Sequence, residues 1–268
     1  MKKIFILFFT IVVLFGCTNN PLTGKSNMAL ISNSQLFPMA FSQYDEFLKE
    51  NTIVVNTQEA LMIERVGKKI AEAAQKLLEA EGQPNYLDDY QWDFKLVNDD
   101  AINAWAMPGG KVVFHTGILP ITKNEDGIAV VMGHEVAHAI LNHGQQRMSM
   151  GILQQLGALG ISIATADSSP RAQALIMLAY GIGSDLAGTL PFSREHEREA
   201  DKYGLILMAI AGYNPDEGVE FWERMASAGD EKIPEFLSTH PSDINRIKNL
   251  QIIAPEAKQR ASEFGVNF

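Results

Sequence analysis

The chain has 268 residues, 46% of them hydrophobic and 20% charged, which is enough apolar side chain for one sizeable core. Its formal net charge is -10, and it lacks the clustered Lys and Arg that phosphate binding needs, which argues against nucleic acid as a partner. One cysteine in the whole sequence rules out an intramolecular disulfide.

Lys2 and Lys3 precede an apolar run over residues 4–15, interrupted only by Thr10, and Gly16-Cys17 follows. A basic start, about a dozen apolar residues and a small residue before the cut describe a secretory signal, too short for the ~20 residues of a membrane span. Leu14-Phe15-Gly16-Cys17 also resembles the lipobox of bacterial lipoproteins. That likeness makes 1–16 a signal peptide and Cys17 the lipidation site, with Phe15 departing from the small residue usual there. Residues 18–26 are polar and rich in turn formers, and read as a tether between lipid and domain. Residues 27–268 then form a single domain.

Residues 58–81 place Leu61, Ile63, Val66, Ile70, Ala73 and Leu77 at helical spacing, and Gly82-Gln83-Pro84 closes that helix. Residues 90–97 alternate apolar with polar, as a half-buried strand does. Two extended runs, 99–107 and 111–115, flank Pro108-Gly109-Gly110 and predict a hairpin. Thr122-Lys123-Asn124-Glu125 has the form of a capping box and opens a helix expected to run to Gly144. Residues 150–190 are apolar and Gly-rich, broken at 167–170, and predict two helices in a hairpin that either packs in the core or forms a lid. A helix from Ser193 to about Ala211, another from Asn214-Pro215 and a last one after Pro241 complete the chain. The expected architecture is α+β and mostly α, with one small sheet.

His134-Glu135-Val136-Ala137-His138 lies inside the capped helix. Four residues apart, the two imidazoles share a face and can hold one ion. Zinc accepts neutral imidazole and needs a third protein ligand to make a catalytic site, where Glu135 can take a proton from water. Metzincin spacing fails, because Leu141 and Gly144 occupy the positions where that group needs Gly and His. His143, five residues past His138, falls off the shared face and reads as structural, as do His115 and His196. Glu197 and Asp201, also four apart, sit in a charged run that is either part of the site or a solvated helix face.

The pairing of HEVAH with a later E-x-x-x-D resembles the zinc metallopeptidases that include the heat-shock protease HtpX and the CAAX prenyl protease. The lipobox and Pro21-Leu22-Thr23-Gly24 are similar to its periplasmic lipoprotein branch, with LoiP- and BepA-like members. The likeness extends over residues 21–247. It implies a gluzincin-like fold with one zinc held by His134, His138 and Glu197, and Asp201 accepting the spare N–H of His134. Glu195 and Glu199 would face solvent. Asn103-Ala104-Trp105 resembles an edge strand that binds extended substrate by β-augmentation, with Trp105 where Phe is common. Thr239-His240-Pro241 and Arg246 resemble a later motif. There His240 either stabilises the oxyanion, acts as a fourth zinc ligand, or merely starts a helix, and Arg246 pairs with a carboxylate near the site or with any surface acid. The family implies a lipid-anchored endopeptidase of the cell envelope, acting on unfolded or misassembled envelope proteins, with envelope assembly machinery among its partners. Thr18 after the Cys, not the Asp that typically retains lipoproteins at the inner membrane, favours the periplasmic face of the outer membrane. The rival reading is an envelope chaperone or assembly factor that keeps zinc for structure or regulation, to which Glu135 would contribute nothing.

Overall fold

The computed structural model describes residues 17–184, 190–228, 234–240 and 245–268. The expected signal peptide at 1–16 and Pro241 lie outside them. Strands β1 (Cys17–Asn19) and β2 (Ser26–Met28) form an antiparallel pair, so the expected tether is instead a hairpin packed on the domain. The cause is Asn20. Its buried side chain accepts from the backbone of Leu22 and Thr23 at 2.9 and 3.1 Å, folding the turn, and donates to the Leu141 carbonyl at 3.3 Å. Tyr203 adds a hydrogen bond to the Leu22 carbonyl, 2.5 Å away.

Helix α1 (Asn33–Glu50) was not expected from the sequence. Leu36, Ala40 and Tyr44 share one buried stripe, but Pro38 inside the helix masks the pattern by removing a backbone donor. After β3 (Ile53–Val54), helix α2 (Gln58–Ala80) fulfils the reading of 58–81, its first turn capped by Thr57, whose hydroxyl accepts from Ala60 at 3.2 Å. Strand β4 (Asp93–Val97) precedes the predicted hairpin, β5 (Ala104–Met107) and β6 (Lys111–His115). Gly109 and Gly110 take φ of 83° and 96° in its turn, a conformation that only glycine adopts freely. The sheet order is β3-β4-β6-β5, with β4 and β6 parallel and the other neighbours antiparallel, which places β5 at an edge. Phe94, Leu96, Val112 and Phe114 fill the face turned to the main core, while Val97, Val113 and Trp105 meet Tyr44 and Phe47 of α1 on the other.

A short helix α3 (Leu119–Thr122) leads into α4 (Glu125–Ile140), capped by Asn124, whose side chain accepts from Gly127 at 2.9 Å. Every residue of α4 from Gly127 onward is buried. It ends at Ile140, four residues before the expected stop, because Asn142 adopts φ 57° and starts a new helix in another direction. That helix, α5 (His143–Ala164), pairs with α6 (Pro170–Ser184) in the predicted helical hairpin. Only its start is buried, at His143, Gln145, Gln146 and Ser149. Leu156, Leu159, Ile163, Leu175 and Leu178 are exposed, so the hairpin projects rather than fills the core. No helix among the described residues is long and apolar enough to cross a membrane.

Helix α7 (Leu190–Ile210) crosses α4 at close range. A Cβ on Gly133 would stand 2.5 Å from the Gly204 carbonyl oxygen, and one on Gly204 would stand 2.8 Å from the His134 nitrogen. Two glycines therefore let the backbones meet. Helices α8 (Glu217–Ala228), α9 (Glu235–Thr239) and α10 (Arg246–Ser262) close the domain around them.

Candidate metal centre

The α4–α7 crossing sets two helix faces against each other, one carrying His134 and His138, the other Glu197 and Asp201. His240, at the C-terminal end of α9, joins them. Ligand atoms of His134, His138, Glu197 and His240 all lie within 4.8 Å of one another, and all four residues are buried. His134 Nε2 stands 3.0 Å from His138 Nε2, 3.3 Å from Glu197 Oε2 and 3.3 Å from His240 Nδ1. Glu197 Oε1 is 3.4 Å from His138 Nε2 and 3.2 Å from His240 Nδ1. Four ligands at ~2.0–2.1 Å around a tetrahedral zinc stand about 3.3 Å apart. The donor set and its spacing thus fit one zinc ion.

Behind the donors, other groups orient the rings. Asp201 Oδ1 is 3.1 Å from His134 Nδ1, which directs Nε2 inward. Arg246 donates to the same Asp201 oxygen at 2.6 Å, reaches Glu197 Oε2 at 3.5 Å and lays its guanidinium 3.4 Å from the Trp222 ring centroid. Of its two readings from sequence, the structure selects the one near the site: Arg246 is buried and pairs with both carboxylates. On His138, Nδ1 meets Nδ1 of His143 at 2.8 Å.

Burial disfavours a charge on His134, but Asp201 and Glu197 outweigh it and lift that ring to about 9. Burial likewise opposes the Glu197 carboxylate, yet hydrogen bonds from three imidazoles hold its carboxyl far below the usual range. Burial keeps His138 well below an ordinary imidazole despite Glu197. Glu135 lies 3.3 Å from His240 Nε2 but out of hydrogen-bond alignment, and its Oε1 has no hydrogen-bond partner among the described residues. Burial pushes its carboxyl upward, with His240 and His134 partly offsetting this. A buried carboxylate with one oxygen outside any hydrogen bond among the described residues is costly, and perturbed groups of this kind concentrate at chemical sites.

The hairpin residues are placed differently from expectation. Asn103 is buried and donates to Glu235 Oε1 at 3.1 Å, while Ile102 and Asn103 offer carbonyls to Phe236 and His115. It ties the hairpin to α9, the helix that delivers His240. Trp105 packs edge-on to Phe47, 4.9 Å between centroids, on the sheet face away from α4. Ala104 is fully buried against the core.

His143, expected to be structural, stays outside the donor group though it touches a donor ring, whereas Glu199, expected to face solvent, is largely buried. The break at Asn142 swings His143 behind His138, and Glu199 Oε2 meets His143 Nε2 at 3.1 Å. The positive-φ preference of Asn at a helix end was the signal available in sequence. Glu195 is half exposed, as expected.

Comparison with known proteins agrees with this geometry. The sequence pattern of peptidase family M48 matches residues 60–254. The chain is 35% identical to the mitochondrial metalloendopeptidase OMA1 of Saccharomyces cerevisiae over 208 residues, covering 75% of this chain and 57% of that one. With the mitochondrial metalloendopeptidase OMA1 of Homo sapiens it shares 30% over 248 residues, 89% of this chain and 46% of that one. With the β-barrel assembly-enhancing protease of Escherichia coli it shares 33% over 178 residues, 63% and 34% of the two chains. The chain thus spans about half the length, or less, of these relatives. A match over most of the sequence, together with the assembled His, His and Glu donors, leads to one assignment: the chain belongs to peptidase family M48.

Proposed function

We propose that the protein is a zinc-dependent endopeptidase in which His134, His138 and Glu197 hold the metal and Glu135 is the general base. The observation that carries this reading is the buried Glu135 carboxylate, 3.3 Å from His240 Nε2 and with Oε1 outside any hydrogen bond among the described residues, beside a converged set of metal donors. Zinc held there supplies Lewis acidity toward a scissile carbonyl and acidifies water in the site. Glu135 takes a proton from the attacking water and returns it to the leaving amine. Asp201 and Arg246 keep His134 and Glu197 in place. The free edge of β5 pairs with an extended substrate, which admits many sequences, as protein quality control requires.

His240 deepens the reading. Its Nδ1 occupies the position of a fourth donor, so the resting site is closed, and substrate entry requires that ring to leave. Four protein donors are also what a structural site presents, which is the observation favouring the chaperone reading. Zinc content and casein cleavage of the full chain, beside His240→Ala, separate the two. Bound zinc in both, with cleavage by the wild type that rises several-fold in His240→Ala, is the expected result. Bound zinc with no cleavage by either protein would transfer the assignment to the chaperone reading.

The cell envelope is the proposed setting, with the protein held by lipid on Cys17 at the periplasmic face of the outer membrane and misassembled envelope proteins as substrates. The basic, apolar and lipobox segments of 1–17 support it, as does the likeness to the β-barrel assembly-enhancing protease of Escherichia coli. Cys17→Ser is expected to move the protein from the membrane fraction to the soluble fraction while zinc content is unchanged. Membrane retention of that variant would refute the anchor.

A further inference from the structure

His134 and His138 are supported in different ways. His134 has its carboxylate directly, in Asp201 at 3.1 Å. His138 has none. Its Nδ1 faces Nδ1 of His143 at 2.8 Å, His143 Nε2 faces Glu199 Oε2 at 3.1 Å, and Glu199 Oε1 accepts from Lys25 Nζ at 2.7 Å. His143 is fully buried and stacks on His196, 4.0 Å between centroids with planes 11° apart, and His196 is itself fixed by Gln146 at 3.0 Å.

Donor and acceptor rules allow one consistent protonation pattern along this chain. A ring that binds metal through Nε2 carries its proton on Nδ1. His138 therefore donates from Nδ1 to His143, so His143 accepts there and carries its own proton on Nε2. That proton goes to Glu199, an acceptor only, and Lys25 supplies the remaining charge. Each contact has one donor and one acceptor, and no buried group is left over. We propose that His143 and Glu199 are positioning residues that lock His138 in its metal-binding tautomer, and that Lys25 of the β1–β2 hairpin is the outer end of the same chain. This rests on the reading of His138 as a zinc ligand.

The inference gives the packed N-terminal hairpin a purpose. It is held at Asn20 to Leu141, at Leu22 to Tyr203 and at Lys25 to Glu199, three points on the end of α4 and on the face of α7 opposite the one bearing Glu197 and Asp201. A hairpin that leaves the domain takes the outer end of the chain with it, and the metal is then held less tightly.

The test is zinc affinity of the full chain by competition with a chromophoric chelator, with the visible spectrum of the cobalt-loaded protein as a second readout. His143→Leu keeps the volume but accepts nothing, and is expected to weaken zinc by ~10–100-fold and shift the cobalt bands, the usual cost of losing such a partner. His143→Asn places a carbonyl oxygen near the lost Nδ1 and is expected to recover most of the affinity. Glu199→Ala and Lys25→Met, nearer the surface and measurable even if His143→Leu fails to fold, are expected to weaken zinc by smaller factors in that order. Wild-type affinity and spectrum in folded His143→Leu or Glu199→Ala would overturn the proposal, as would an Asn variant no better than the Leu one. Unchanged affinity in Lys25→Met would remove the hairpin from it. Absence of zinc from the wild type would bring down the peptidase reading, and this inference with it, whereas zinc binding without cleavage leaves the inference standing.

Discussion

Glu135→Gln is expected to retain its zinc and its fold and to lose casein cleavage by ~10²–10⁴-fold, the range that a positioned general base supplies. The substitution changes almost no volume. Glu135 is 2% exposed, and burial already pushes its carboxyl upward, so a neutral amide does not cost the protein stability. Its Oε1 holds no neighbour in place, so little reorganises when it is replaced. What disappears is a basic oxygen beside the point where His134, His138, Glu197 and His240 converge. The measurements are kcat on casein, zinc per chain and thermal midpoint. Activity near wild type with zinc retained would remove Glu135 from the mechanism. Loss of zinc along with activity would instead make it part of the metal site.

The second large effect lies at a residue that touches no metal donor through a side chain. Gly204→Val is expected to lower stability by roughly 1–3 kcal/mol, as overpacking does, and to weaken zinc at the same time. A Cβ there meets the backbone nitrogen of His134 at 2.8 Å and its Cα at 3.0 Å. Backbone atoms of a buried helix cannot rotate aside, so α4 and α7 must separate. Glu197 and Asp201 ride on α7, while the rings they serve ride on α4, at donor distances of 3.1–3.4 Å. An increase of even 1 Å breaks contacts of that kind. Gly160→Ala is the control. A Cβ on Gly160 has nothing within 4 Å, and a helical Ala is expected to be neutral or stabilising by up to about 1 kcal/mol. Thermal midpoints and chelator competition on the two variants decide the matter. Unchanged zinc affinity in Gly204→Val would show that the crossing does not set the site.

The parts of this protein legible in sequence are those written in a short period. The His134, Glu135 and His138 spacing and the hairpin around Gly109 and Gly110 follow from residues within one or two turns of each other. The box at 122–125 marks the start of α4 but not its cap, which is Asn124 instead of Thr122, and only the family resemblance singles out Glu197 with Asp201 from a charged run. What escaped depends on single backbone torsions or distant partners. One positive φ at Asn142 ends α4 and turns His143 from an off-face residue into the neighbour of His138. Asn103 and Trp105 sit in a strand that was correctly placed. Which face each side chain takes, and that Glu235 awaits one and Phe47 the other, is decided by contacts more than fifty residues away. The polar stretch 18–26 has the composition of a linker, and only the buried Asn20 makes it a hairpin.

The four donors come from stretches of chain far apart. His134 and Glu197 are separated by 63 residues (197 − 134), Glu197 and His240 by 43, and His134 and His240 by 106. Contacts of that span form late, because the loops between them must close first. A nascent, threaded or clipped chain displays HEVAH without the carboxylate and the last imidazole that would make it hold metal tightly. Tight metal binding is thus a property of the finished molecule, and the hydrolysis proposed for this site starts only when folding is complete.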